Sequence, residues 1–144
     1  MRIIPKIEIK NNFLIKGINF EGLRKLGNPK KFIEKYYHDG CDEIIISDIV
    51  ASLYGRNQLF EFIENITESV FIPITLIGGL RSFNDIDNAF NSGADKVGLN
   101  SAIIKNPNFL KKATRRYGEA NILISIETKK IDGTWKIFYL NGRE

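Results

Sequence analysis

The chain has 144 residues, of which 43% are hydrophobic and 26% charged, a balance typical of a globular domain with a buried core. It has no apolar window of about 18 residues and no uninterrupted apolar run at its start, which argues against a membrane span and a signal peptide. The net charge of +4 comes from scattered basic pairs without interleaved aromatics, which favours a polyanionic small substrate over nucleic acid.

Cysteine and histidine each occur once. Cys41 excludes an internal disulfide, fits a reducing cytoplasm, and enters an apolar stretch where we expect it to be buried. His38 lies near a predicted helix end and has no His/Cys cluster around it. The sequence therefore predicts neither a metal site nor a cofactor.

Apolar runs alternate with amphipathic stretches along the whole chain. The apolar runs predict strands over residues 2–10, 42–49, 71–77, 95–100 and 121–127. Helical spacing predicts helices over residues 28–40, 56–69, 82–93 and 106–118. Asp132-Gly133 predicts the turn of a C-terminal β-hairpin within residues 129–142. This order is that of an α/β protein with a parallel sheet, and we expect one domain over residues 1–144.

Capping signals support the helix boundaries. Asn28-Pro29 and Asn106-Pro107 place a capping side chain before a proline at the first helical position. Ser82 with Asp85 resembles a capping box. Glycines follow three of the predicted helices, at positions 40, 93 and 118.

Each apolar run ends in polar residues. In parallel α/β folds, ligands bind at the carboxyl ends of the strands. The residues at these ends are Glu8 and Lys10, Asp48, Thr75 with Gly78-Gly79, Asn100-Ser101, and Glu127. Each residue taken singly could be a cap or a solvated edge residue. Five such strand ends in register favour a shared site.

The chemistry of these residues points to acid-base catalysis on a phosphorylated small molecule. Glu8 and Glu127 come from different strands, and facing carboxylates can act as acid and base. Gly79, Asn100 and Ser101 offer backbone N–H groups and a hydroxyl for a phosphate.

Six segments together carry a resemblance to one family. They read "RIIPKIEIK", "KGINFEGLR", "DEIIISDIVAS", "FIPITLIGGLRS", "GADKVGLNSAIIKNP" and "SIETKKIDGTWKIFYLNGRE", and they resemble the cyclase subunit of imidazole glycerol phosphate synthase from first residue to last. The resemblance implies a (βα)8 TIM barrel. It also implies a cyclase that takes ammonia from a glutaminase and acts on a phosphorylated ribulosyl nucleotide. Its products are imidazole glycerol phosphate, in histidine biosynthesis, and aminoimidazole carboxamide ribonucleotide.

The resemblance also implies roles for single residues. The catalytic acids fall on Glu8 and Glu127. Substrate and phosphate binding fall on Lys16, Asp48, Gly78, Gly79, Asn100 and Ser101. A charged ammonia gate at the opposite end of the barrel falls on Arg2, Glu43 and Lys96, with Asp95 beside it at the partner interface. A fourth gate residue has no counterpart in the chain.

Three departures from the family pattern stand out. Both catalytic positions carry Glu where the family has Asp, so each carboxylate is one methylene longer. Lys6-Ile7 occupies the positions where the family has Cys or Ala followed by Leu. Ile77 replaces the first of three consecutive glycines in the family. The resemblance spans the first five of eight β/α units, and a closed barrel needs about 200 residues or more. We therefore expect a half-barrel-like portion, open to self-association along its free edge.

Two other functions remain open at this stage. The paired Asp-to-Glu changes are compatible with a diverged relative that mainly conducts ammonia, for example to an enzyme that amidates sugars for surface polysaccharides. A non-catalytic half-barrel that binds phosphate ligands as a dimer is the third interpretation.

Overall fold

The computed structural model describes residues 1–18, 21–50 and 59–139, with strands and helices alternating along most of that length. The strands are β1 (Lys6–Lys10), β2 (Phe13–Ile18), β3 (Glu21–Gly27), β4 (Ile44–Asp48), β5 (Ile74–Ile77), β6 (Lys96–Leu99), β7 (Ile122–Ile124), β8 (Glu127–Ile131) and β9 (Thr134–Phe138). The α-helices are α1 (Pro29–His38), α2 (Leu59–Thr67), α3 (Phe83–Asn91), α4 (Ser101–Lys105) and α5 (Pro107–Tyr117), followed by a 3-10 turn at Glu119–Asn121.

Seven strands form one sheet in the order β3-β2-β1-β4-β5-β6-β7. Strands β1, β4, β5, β6 and β7 are parallel, whereas β2 pairs antiparallel with β1 and β3 pairs antiparallel with β2. Strands β8 and β9 pair separately as an antiparallel hairpin about Asp132-Gly133. The predicted α/β class, the five parallel strands and the C-terminal hairpin are confirmed.

The side chains of the parallel strands alternate between the two faces of the sheet. One face packs against the helices and is formed by apolar side chains such as Ile7, Ile46, Leu76 and Val97, all almost fully buried. These side chains and their helical partners form one continuous core, which also contains Cys41. The opposite, inner face carries mainly polar and small residues at the alternate positions, together with Ile45 and Ile77, and this face holds the candidate site.

Most helix boundaries follow the predicted caps. The Asn28 side chain accepts a hydrogen bond from the Lys30 backbone N–H, and Ser82 with Asp85 forms a complete capping box. Asn106 is the exception: it precedes α5 but its side chain makes no capping hydrogen bond. Its backbone already ends α4, and φ −143° with ψ 88° places it outside the usual capping conformation. The predicted cap at Asn106 is therefore wrong.

The structure differs from the predicted strands in three places. Residues 2–5 precede the first strand, although the backbone of Ile3 exchanges hydrogen bonds with Asp42. Strands β2 and β3 were not predicted, because the glycine- and lysine-rich sequence of residues 13–27 shows no regular alternation. The fifth parallel strand ends at Ile124, so Glu127 opens the hairpin strand β8 and does not end β7.

Candidate active site

A cavity of about 610 Å³ opens at the carboxyl ends of the parallel strands. We call it the carboxyl-end cavity. Its lining includes seven of the residues proposed from the sequence: Glu8, Asp48, Gly78, Gly79, Asn100, Ser101 and Glu127. Lys16 is exposed on β2 and does not line the cavity, although its neighbour Gly17 does. The substrate-binding role of Lys16 stays a prediction.

Strand β1 sends two charged side chains into this cavity. Ile7 and Ile9 are buried on the helical face, so Lys6 and Glu8 share the inner face two residues apart. The Nζ atom of Lys6 lies 2.9 Å from Oε1 of Glu8, a hydrogen-bonded ion pair. The resemblance drew attention to Lys6 only as a departure, and strand alternation is the signal that places it beside Glu8.

A row of four residues crosses the sheet at the level of Glu8. Strand register places Glu8 beside Ser47, Ser47 beside Ile77, and Ile77 beside Gly98, and all four line the cavity. A Cβ added at Gly98 would collide with Cγ1 of Ile77. The Ile77 side chain therefore fills the space that the glycine leaves on the neighbouring strand.

The loop after β5 needs glycine for two separate reasons. Gly78 and Gly79 have φ angles of 114° and 70°, in the region that favours glycine. A Cβ at Gly78 would also collide with the carbonyl oxygen of Asp48, so the loop packs directly on the end of β4. The Asp48 carboxylate in turn accepts a hydrogen bond from the Val50 N–H at 2.9 Å, which fixes the turn after β4.

Asn100 and Ser101 follow β6 on the other side of the cavity. Asn100 precedes the short helix α4, and Ser101 is its first residue. The Oδ1 atom of Asn100 is buried, and within the described part of the chain it has no hydrogen-bond partner. A buried oxygen in this state is costly, so a donor group on a bound ligand would be stabilised there.

Four side chains form a second polar cluster at the opposite, amino ends of the strands, which we call the Glu43 cluster. Oε2 of Glu43 lies 2.8 Å from Arg2 Nη2 and 2.8 Å from Lys96 Nζ. Thr75 donates a hydrogen bond of 2.7 Å from Oγ1 to Oε1 of Glu43. The sequence placed Thr75 at a strand end. That was wrong: it is fully buried within β5 and faces this cluster.

The surroundings of Glu43 favour its charged form. Burial alone would raise the pKa of this carboxyl, but hydrogen bonds from Lys96 and Thr75 and the charges of Lys96 and Arg2 outweigh that effect and lower it. Asp95, the fourth residue assigned to this end, accepts a hydrogen bond of 2.8 Å from the Ile74 backbone N–H. The Asp95 carboxylate thus holds the start of β5, and the residue itself is exposed.

Residues 1–18, 21–50 and 59–139 contain no group of three or more His, Cys, Asp or Glu side chains placed to hold a metal ion. Over the same residues, no helix has the length and apolar character needed to cross a bilayer.

Comparison with known proteins identifies a family and named relatives. A family model described as histidine biosynthesis protein matches residues 2–144. The imidazole glycerol phosphate synthase subunit HisF of Legionella pneumophila is 46% identical over 145 residues, which cover 100% of this chain and 68% of that protein. The subunit of the same name from Campylobacter concisus (strain 13826) is 37% identical over 142 residues, covering 99% of this chain and 57% of that protein.

Proposed function

This chain belongs to the histidine biosynthesis protein family, and from that premise we propose that it acts as the cyclase subunit of an imidazole glycerol phosphate synthase. The chain spans 57% to 68% of the length of the two relatives, so the activity of the whole enzyme is part of the proposal. One observation carries it. Glu8 and Glu127, at the catalytic positions, line the same cavity as the proposed phosphate-binding residues Gly78, Gly79 and Ser101. These residues come from four separate places in the fold: β1, β8, the loop after β5, and α4.

Within the cavity the proposed roles follow from chemistry. Glu8 on β1 and Glu127 at the start of β8 would transfer protons to and from the substrate as general acid and base. Gly78, Gly79 and Ser101 would hold one substrate phosphate through backbone N–H groups and a hydroxyl. Asn100 Oδ1 would accept a hydrogen bond from the substrate, because this buried atom has no partner among the described residues.

The Glu43 cluster supports a glutaminase partner. It lies at the end of the strands opposite the cavity and presents the exposed side chain of Arg2 on its outer side. We propose that Arg2, Glu43 and Lys96 form the entry point for ammonia and that Asp95 contacts the glutaminase nearby. Replacement of Asp95 by Lys should weaken glutaminase binding in a pull-down assay, with the remote Asp132→Lys as a control.

The experiment that tests the cyclase proposal is turnover of the ribulosyl nucleotide substrate with an ammonium salt as nitrogen source. We expect imidazole glycerol phosphate to form and Glu8→Gln to lower its rate about 100- to 10,000-fold, the usual contribution of a general acid or base. Unchanged turnover in Glu8→Gln would remove Glu8 from the mechanism.

A diverged, ammonia-conducting relative is the second candidate. It is favoured by the intact Glu43 cluster in a chain whose two catalytic positions both carry the longer acid. If this candidate is correct, the purified protein will stimulate its glutaminase but will not turn over the ribulosyl nucleotide. Sugar amidation for surface polysaccharides would then be the reaction to assay.

A third candidate is a half-barrel that self-associates and binds phosphate ligands without catalysis. Its support is exposed apolar surface at the end of β7 and just beyond it, where Ile124 and Ile126 are both more than half exposed. Sedimentation of the chain separates the outcomes: a stable dimer that binds inorganic phosphate supports this candidate, and a monomer contradicts it.

A further inference from the structure

We infer that Lys6 is a positioning residue for Glu8, a role that the comparisons do not assign. The inference rests on the proposed function, because it concerns how one of the proposed catalytic carboxylates is held. It begins with an ion pair inside the carboxyl-end cavity, between Lys6 Nζ and Glu8 Oε1 at 2.9 Å.

The geometry of β1 makes this pair specific. The two side chains lie on the same face of one strand, two residues apart, so the backbone fixes the distance between their points of attachment. The residue opposite Lys6 on the neighbouring strand β4 is Ile45, whose side chain has no polar group. Within the described residues, Glu8 is the carboxylate to which Lys6 is hydrogen-bonded.

Glu8 has a particular need for such a contact. A glutamate has one more rotatable bond than an aspartate, so its carboxylate samples more positions and loses more conformational entropy when it is fixed. A displacement of a catalytic group by about 1 Å can lower a rate roughly 100-fold. A hydrogen bond from a residue on the same strand limits this freedom, because donor and acceptor share one rigid backbone.

The contact also gives the two oxygens of the Glu8 carboxylate different surroundings. Lys6 binds Oε1, and within the described part of the chain Oε2 has no hydrogen-bond partner. One oxygen is therefore held while the other is left to exchange a proton with a ligand. The Glu8 side chain is 33% exposed, which gives a ligand access to Oε2.

The test compares Lys6→Met, which removes the charge at similar length, with Lys6→Arg, which keeps a cationic donor. Lys35→Met is the matched control, since it removes another short lysine–carboxylate pair, between Lys35 on α1 and Asp39 directly after that helix, outside the cavity. The first readout needs no substrate. It is the carboxyl carbon resonance of Glu8 in the purified protein labelled with [δ-13C]glutamate, assigned through Glu8→Gln.

We expect Lys6→Met to shift the Glu8 resonance, Lys6→Arg to restore most of its position, and Lys35→Met to leave it unchanged. In turnover assays we expect Lys6→Met to lower kcat about tenfold with KM changed by less than about twofold, as for a misplaced catalytic group. Added to Glu8→Gln, the Lys6→Met change should have no further effect, because a residue that acts through Glu8 is silent without it.

Two results would overturn the inference. A Glu8 resonance that is identical in Lys6→Met and the unmodified protein would show that the pair does not constrain the carboxylate. A rise in KM on Lys6→Met that persists in the Glu8→Gln background would show that Lys6 binds the substrate itself. If the protein turns over no ribulosyl nucleotide at all, the proposed function fails, and the resonance measurement still decides the role of Lys6.

Discussion

The two ends of the parallel strands each carry a glutamate on the inner face, in opposite environments. Glu43 at the amino ends is 3% exposed, and its two oxygens are bound by Arg2, Lys96 and Thr75. Glu8 at the carboxyl ends is 33% exposed and is hydrogen-bonded to Lys6 through one oxygen. Breaking the contacts of a fully paired, buried carboxylate destabilises a structure, whereas a partly exposed carboxylate with an available oxygen can exchange protons.

The largest stability effect is expected at the Glu43 cluster. Glu43→Gln leaves Lys96 beside a neutral group in a partly buried position, and we expect a loss of about 2–3 kcal/mol in the free energy of unfolding. This lies below the roughly 3–5 kcal/mol that is typical for broken buried pairs, because both cations retain contact with water. Urea denaturation at neutral pH measures it, with Glu61→Gln on the exposed side of α2 as the control.

The same cluster predicts a pH dependence. The pKa of Glu43 is lowered below its ordinary value of 4.5 in the folded chain, so its contribution to stability is present above that value. It is lost as the pH falls below about 4.5 toward the folded-state pKa. The difference in unfolding free energy between the unmodified protein and Glu43→Gln should therefore shrink on acidification. A difference that stays constant down to about pH 3 would contradict this assignment.

The loop that borders the cavity predicts the next effect. Gly78→Ala introduces a Cβ against the Asp48 carbonyl at a positive φ, and we expect a cost of about 2 kcal/mol or more. Gly40→Ala is a matched control, because Gly40 also has a positive φ but has no atom within 4 Å of an added Cβ. Its expected cost is about 1 kcal/mol, from backbone strain alone. Equal costs for the two variants would show that the loop does not pack on β4.

Ile77 and Gly98 should be energetically coupled across β5 and β6. Gly98→Ala forces the two side chains together and should cost about 1–3 kcal/mol, as overpacking does. In an Ile77→Ala background the added methyl has room, so the double variant should be more stable than the sum of the single effects predicts. Additive single and double effects would place the Ile77 side chain elsewhere.

A smaller effect is expected at Tyr117, which joins α5 to α3. Its hydroxyl donates to Asp87 at 2.7 Å, and burial with that contact raises the pKa of Tyr117 to about 12. Tyr117→Phe should cost about 1 kcal/mol at neutral pH. Because the pKa is raised from 10.0, the stabilisation is present below that pH and is lost as the pH rises toward about 12. Denaturation curves give the difference in unfolding free energy between the unmodified protein and Tyr117→Phe. The same difference at pH 8 and at pH 11 would contradict the assignment.

Local signals in the sequence predicted the parts of the fold that local interactions decide. The Ser82–Asp85 capping box and the Asp132-Gly133 turn involve residues two or three apart, and both are present. The antiparallel strands β2 and β3 were missed because residues 13–27 show no regular alternation, although Asn11-Asn12, both at positive φ, form a local turn that pairs β2 with β1. The Asn106 cap failed because the unpredicted helix α4 ends at Lys105, which makes Asn106 the C-cap of that helix.

The candidate site shows the same division. Strand ends predicted that Glu8 and Asp48 line the cavity, since parallel strands bring their carboxyl ends together, whereas Glu127 lines it from the start of β8. The partner of Thr75 lies 32 residues away in sequence, so its contact with Glu43 could not be read from neighbouring residues. The position of Lys6 beside Glu8 was available from strand alternation, and only the ion pair itself required the structure.

The most direct test of the contrast between the two glutamates is to measure Glu8→Gln and Glu43→Gln in the same two assays. The assays are turnover of the ribulosyl nucleotide with ammonium salt and urea denaturation. We predict that Glu8→Gln loses turnover while its unfolding free energy changes by less than about 0.5 kcal/mol, the usual range for an exposed substitution. Glu43→Gln should lose stability but retain turnover where it is folded. Normal turnover in Glu8→Gln together with lost turnover in folded Glu43→Gln would contradict the account.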